Sequence, residues 1–234
     1  MREERRSGFV GNSFAEMEIM LTSKRCLCVH ATLQMVDVVL KSILFQRQFV
    51  PDLVARLLET NEKFSGDYAK ITDVLRECFR SRNRELIREV VIVVGPTCYS
   101  PREFFRIPIQ VCHEEQDDPS TSGCGSHCGE LTEREIMTFY RTMMTNFPVD
   151  DFKKLKRTDR AYIMLNAGES LQLSSFEDIS VDESLPMANG ARKTSLLETT
   201  IRMSHECESA DRGQKTAAAS SCWFRVVPHF KVIS

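Results

Sequence analysis

Potential metal ligands and nucleophiles crowd one stretch of this 234-residue chain, where Cys112, His113, Cys124, His127 and Cys128 lie close together. Tetrahedral zinc takes four nitrogen or sulfur donors, and the spacing Cys124-x-x-x-Cys128 is acceptable for half a site. The other half is poor, because the adjacent Cys112 and His113 would point to opposite faces of a strand. The intervening sequence EEQDDPSTSGCGSHCGE (114–130) is acidic, then rich in Gly and Ser, with no apolar residue to anchor it. An acidic surface loop carrying reduced thiols is the simpler reading. The chain contains no GxSxG, HExxH, GxxxxGK[ST] or GxGxxG, so no hydrolase or nucleotide site is signalled. The expectation is a non-catalytic protein with no metal and no cofactor.

Chemistry of recognition is better represented. Thr132 and Glu135 have the spacing of a capping box, in which each side chain satisfies an orphan backbone N–H of the other's turn. A helix is therefore expected over 132–147. On it Ile136, Phe139, Tyr140, Met143 and Phe147 cluster, and Met137 and Met144 widen the apolar arc to roughly 160°, against about 100° for an ordinary surface helix. One reading is a wide core helix wedged between sheet and loop. The other is a helix whose margin, around Tyr140 and a methionine, meets a protein partner. Gln46 and Gln48, at the end of an earlier helix, read by themselves as polar residues facing water.

The elements that would position these residues follow from periodicity. Residues 1–25 read as a flexible lead-in, with a short amphipathic piece near 14–21. Leu33, Val36, Leu40, Ile43 and Leu44 recur at helical spacing and predict a helix over 30–48. Pro51 opens a short second helix to Thr60, Asn61–Gly66 reads as a linker, and a third helix covers 66–83 with Ser65 as N-cap. Five β-branched residues, Val90 to Val94, predict a strand buried on both faces. Phe104–Ile109 alternates as a neighbouring strand, and Pro108, which cannot donate a ladder hydrogen bond, favours an edge position for it. Later strands are expected at 162–165, within 193–203 and over 222–232, the last preceded by a loop over 204–221. Helices grouped early and strands grouped late argue for an α+β fold, not for alternating βαβ units.

Composition narrows the partners. Lys and Arg total 31 against 33 Asp and Glu, so there is no electrostatic footprint for nucleic acid or an anionic membrane. No apolar run approaches the roughly 20 residues that span a bilayer. The nine cysteines are odd in number and scattered, and the charged N-terminus lacks an apolar export core. Reduced thiols in a cytosolic or nuclear protein are expected.

Four segments, KSILFQRQFVP (41–51), EVVIVVGPTCYSPREFFRI (89–107), TFYRTMM (138–144) and CWFRVVPHFKV (222–232), resemble in sequence and order the Comet family, the Mad-two-binding proteins of the spindle assembly checkpoint. The most specific are YSPREFF and the pair Trp223-Phe224 followed after five residues by Phe230-Lys231. The resemblance covers about 30–234, weakly over the acidic loop and 166–221. It implies a single HORMA-like domain over 26–234, with three helices on a mostly antiparallel sheet and a C-terminal safety-belt segment. Trp223, Phe224, Phe230 and Lys231 would then form a self-bound final strand, a β-augmentation in cis.

The same resemblance implies a non-catalytic adaptor that binds the closed conformer of Mad-two. Such an adaptor promotes its conversion to the open form by a Pch-two-type AAA+ ATPase, disassembles the mitotic checkpoint complex and silences the checkpoint. Nuclear and cytoplasmic localisation, with spindle or kinetochore association in mitosis, goes with it. By position, Gln46 and Tyr140 match the Mad-two contacts, with Arg47, Arg141, Met137 and Met144 beside them. The ATPase contact would fall at Phe176, Glu177 and Asp178, where Glu177-Asp178 replaces the family's Pro-Lys pair and reverses the local charge. An alternative keeps the fold but captures a closure-motif peptide of another partner in trans, and the two differ in whether 222–232 fill the groove. A zinc or thiol enzyme would require a bound metal or a low-pKa thiolate among Cys112, Cys124 and Cys128.

Overall fold

A computed structural model describes residues 16–24, 26–79, 83, 86–110, 129–147, 154–171, 177–182, 196–205 and 221–233. Within them the chain is α+β, with four helices and an eight-stranded sheet. The strands are β1 (Glu16–Ser23), β2 (Ile87–Gly95), β3 (Glu103–Pro108), β4 (Arg160–Gly168), β5 (Ile179–Asp182), β6 (Leu197–His205), β7 (Ser221–Val226) and β8 (Phe230–Lys231). The helices are α1 (Val29–Gln46), α2 (Val54–Thr60), α3 (Glu62–Cys78) and α4 (Glu133–Asn146). The sheet runs β1-β6-β3-β2-β4-β7-β5, with β8 also on β4. Pairing is antiparallel except where β6 lies parallel to β1 and to β3.

The β-branched strand occupies the middle, as its two-sided burial requires. Val90, Ile92 and Val94 face the main core with Phe105, Ile107, Ile163 and Leu165, while Val91 and Val93 join Phe104, Met164 and Cys98 in a second cluster on the opposite face. β3 is an internal strand, not an edge: β6 pairs with it only over Glu103–Arg106. Pro108 lies beyond that pairing, so its missing N–H disrupts nothing on that side.

The first 25 residues are not all lead-in, because β1 forms the end of the sheet. Its Ile19 and Leu21 are buried and Glu18, Met20 and Thr22 exposed, a period of two that only a strand gives. α3 begins at Glu62, with Asn61 as N-cap accepting from the Phe64 N–H at 3.0 Å, so no linker separates it from α2. The last strand is two pieces, since Pro228 and its neighbours leave the ladder between β7 and β8.

The strands that precede and follow β6 in the chain, β5 and β7, lie at the other end of the sheet. β6 lies second in the strand order and β7 sixth, four strand spacings or about 19 Å apart.

α1 ends in a Schellman turn, with the Phe49 N–H bonded to the Leu44 carbonyl and the Gln48 N–H to the Phe45 carbonyl, both at 2.9 Å. Gln48 takes φ 55°, the left-handed conformation that glycine adopts without steric cost. Gln48→Gly is expected to raise unfolding free energy by up to about 1 kcal/mol in chemical denaturation, whereas Gln48→Val is expected to lower it.

Candidate functional site

α4 has one buried face and one open face. Phe139 and Met143 are buried, Ile136 and Tyr140 are half-buried against the core, and Phe147 stacks on Phe105 with ring centroids 5.6 Å apart. Met137 is 53% exposed and Met144 37% exposed, and Arg141 is exposed between them. At three- and four-residue spacing these three form one stripe, with Tyr140 on its margin.

The capping box fixes the start of α4, with Thr132 Oγ1 accepting from the Glu135 N–H at 3.3 Å and Glu135 Oε2 accepting from the Thr132 N–H at 2.9 Å. Two glutamines of α1 then hold α4 in place. Gln34 Oε1 accepts from the Leu131 N–H at 2.6 Å, and Gln46 Nε2 donates to the Met143 carbonyl at 3.1 Å. Met143 carries one of the last four helix carbonyls, which have no partner within the helix, so Gln46 has a structural task that periodicity did not reveal. Gln46 Oε1 accepts no hydrogen bond among the described residues.

Tyr140 sits near a polar group shared by α1 and α3. Asp37 accepts from the Tyr68 hydroxyl at 2.5 Å and from Lys41 Nζ at 2.6 Å, and Lys41 lies 5.6 Å from the centre of the Tyr68 ring. Burial first, and then the Asp37 charge, raise the Tyr140 phenol well above its ordinary range. Beside this group a cleft of about 380 Å³ opens between α1 and α3, with Leu33, Leu40 and Leu75 among its lining and Asp37, Arg76 and Glu130 supplying charge. Sequence reading missed Gln34, Asp37 and Tyr68, each of which has a partner outside its own helix.

Arg47 is not available for the role expected of it. It is 6% exposed and grips Glu103, 3% exposed, through Nε at 2.8 Å and Nη2 at 2.6 Å. The pair ties the end of α1 to the start of β3. Next to it Arg102 donates to Asp159, which is fully buried and also accepts from the Lys156 N–H. Burial pushes the Glu103 carboxyl upward against the pull of Arg47, the mark of a costly desolvation that the ion pair must offset.

The C-terminal residues form strands on β4. Trp223 and Phe224 lie on β7, opposite Asn166 and Leu165, and Phe230 and Lys231 form β8, opposite Ala161 and Arg160. Phe224 and Phe230 are buried, Trp223 is half-buried against the second cluster and Lys231 is exposed. Phe230 packs against Phe64 and Tyr68 of α3, each with centroids 5.8 Å away, and the Ile233 N–H reaches the Phe49 carbonyl at 2.8 Å. Beyond β7, the Asp178 carbonyl accepts from the Val227 N–H at 2.8 Å and Glu177 is exposed. Phe176 lies outside the described residues, as do Cys112, His113, Cys124, His127 and Cys128. Among the described residues no group of three or more His, Cys, Asp or Glu could hold a metal ion, and no helix is long and apolar enough to cross a membrane. Burial raises the Cys78 thiol to about 12, which leaves it unreactive at neutral pH. No protein-family model and no curated protein matches this sequence.

Arg47→Ala is expected to cost about 3–5 kcal/mol of unfolding free energy, because it strands a buried carboxylate, and Arg141→Ala less than about 0.5 kcal/mol. Replacing both members, Arg47→Met with Glu103→Leu, is expected to recover most of the loss in the same denaturation assay.

Proposed function

We propose that the protein is a HORMA-like adaptor of the Comet type, which binds the closed conformer of Mad-two through the exposed stripe of α4 and the adjoining end of α1. The observation that carries this reading is that β7 and β8 already fill the outer edge of β4. A domain whose own tail completes its sheet has no vacancy there for a closure-motif peptide, and recognition passes to the helix surface. The alternative of peptide capture in trans would require that edge to be open.

In the contact, Tyr140 is the aromatic anchor and Met137 and Met144 provide adaptable apolar area around it. Arg141 adds charge at the rim, and Gln46 offers Oε1 to a partner N–H while its Nε2 stays on Met143. Arg47 supports the surface from beneath through Glu103 and makes no contact with the partner. The adaptor contributes binding, not chemistry. Preference for closed over open Mad-two shifts a conformational equilibrium only by the difference of the two affinities, and the work of opening belongs to the AAA+ ATPase. Phe176, Glu177 and Asp178 are assigned to that second contact, with the acidic pair favouring a basic patch on the ATPase.

Calorimetric titration of the full chain with Mad-two locked closed and locked open tests the proposal. Binding to the closed form alone is expected, weakened at least tenfold by Tyr140→Ala with the thermal transition retained. Gln46→Ala is expected to weaken it less and also to lower the thermal transition, since the residue serves both contacts. Equal affinity for the two conformers would contradict the reading.

A further inference from the structure

The face of β4 turned away from the helices begins with cations that have no counter-ion. Ala161, Ile163 and Leu165 point into the main core, so Arg160 and Tyr162 alternate onto the opposite face. Lys231 of β8 is the direct cross-strand neighbour of Arg160 and shares that face, while Phe230 beside it packs against α3. Like charges in directly opposite positions repel. Among the described residues no acidic side chain answers either one: Arg160 Nη1 donates to the carbonyls of Arg157 and Asp159, at 2.7 and 2.8 Å, and Lys231 is exposed. Those two carbonyls fix the guanidinium. Their turn is held in place by Asp159, which accepts from Arg102 and from the Lys156 N–H. Around the pair Lys156 and Arg157 are exposed, and His229 packs on the Tyr162 ring with centroids 5.2 Å apart. Burial and then Cys98 raise the Tyr162 phenol while Arg160 and Arg225 pull it down, so both guanidinium groups lie within electrostatic reach of one ring.

We infer that this patch is an anion site that takes a phosphorylated side chain of a protein partner. Arg160 Nε and Nη2 and Lys231 Nζ make no hydrogen bond among the described residues, and they present two positive charges on adjacent strands. A phosphate monoester carries about −1.5 to −2 at neutral pH and offers three strong acceptor oxygens, which matches both cations at once. An Asp or Glu side chain would leave one of the two charges unanswered. A nucleic acid presents a run of phosphates, and a chain of net charge −2 with a patch of this size is a poor match for it. A bound phosphate also relieves the repulsion between β4 and β8, so the ligand stabilises the seating of the tail on β4. The patch lies on the sheet face away from the helices and is independent of the α4 reading.

Nuclear magnetic resonance titration of the isotope-labelled full chain with the peptide Ala-Ala-phosphoserine-Ala-Ala tests the inference, with the unphosphorylated peptide, inorganic phosphate and a single-stranded oligonucleotide as controls. Saturable amide shifts centred on Arg160, Tyr162, His229 and Lys231 are expected with the phosphopeptide, at least tenfold tighter than inorganic phosphate, and none with the unphosphorylated peptide. Arg160→Gln and Lys231→Gln are each expected to weaken binding about tenfold. In phosphate-free buffer Lys231→Gln is also expected to raise the thermal transition by removing the like-charge pair, a gain that no loss of folding could mimic. Absence of saturable shifts, inorganic phosphate binding as tightly as the phosphopeptide (an adventitious ion only), preference for the oligonucleotide, or binding indifferent to both substitutions would each overturn the inference.

Discussion

The architecture depends on one requirement: β4 is buried within the sheet, and its outward backbone groups must find partners. Met164, Leu165 and Ala167 are fully buried, so an unpaired edge there would leave N–H and C=O groups without water. β7 and β8 supply those partners from the last thirteen described residues. The tail is thereby a structural strand. Its side chains extend the effect to both faces, Phe224 and Phe230 toward the helices and Trp223 toward the second cluster.

The helix layer is built outward from the same region. The tail reaches Phe49 through Ile233, just past the turn in which Arg47 grips Glu103. That turn ends α1, and α1 holds α4 through Gln34 and Gln46. A continuous set of contacts therefore runs from the filled edge of β4 to the exposed methionines of α4. These contacts fix the backbone of α4 against α1, while Met137 and Met144 stay exposed on it.

Legibility in the sequence followed the range of the interactions. Three of the helices lie within a few residues of their expected positions, and so does the capping box at Thr132, because periodicity and caps are local. The run Val90–Val94 declared its two-sided burial through β-branched composition alone. β1 was hidden because eight residues of alternating Glu, Met and Ile become a strand only beside β6, about 180 residues away in the chain. β5, with four residues, is too short for any pattern to stand out. Gln46 was read as facing water and Arg47, through the resemblance, as a partner contact, because nothing local indicates Met143 or Glu103 as their partners. The acceptor in one case and the counter-ion in the other arrive only with the tertiary fold.

The cis-bound tail can be measured directly by native-state hydrogen exchange of the full chain. If β7 is an integral strand, the amides of Cys222–Val226 that bond to β4 exchange as slowly as those of Val90–Val94, through the same global opening. Exchange of the β7 amides orders of magnitude faster than those of β2, with the outer amides of β4 equally unprotected, would mean that the edge stands open, and would contradict the account.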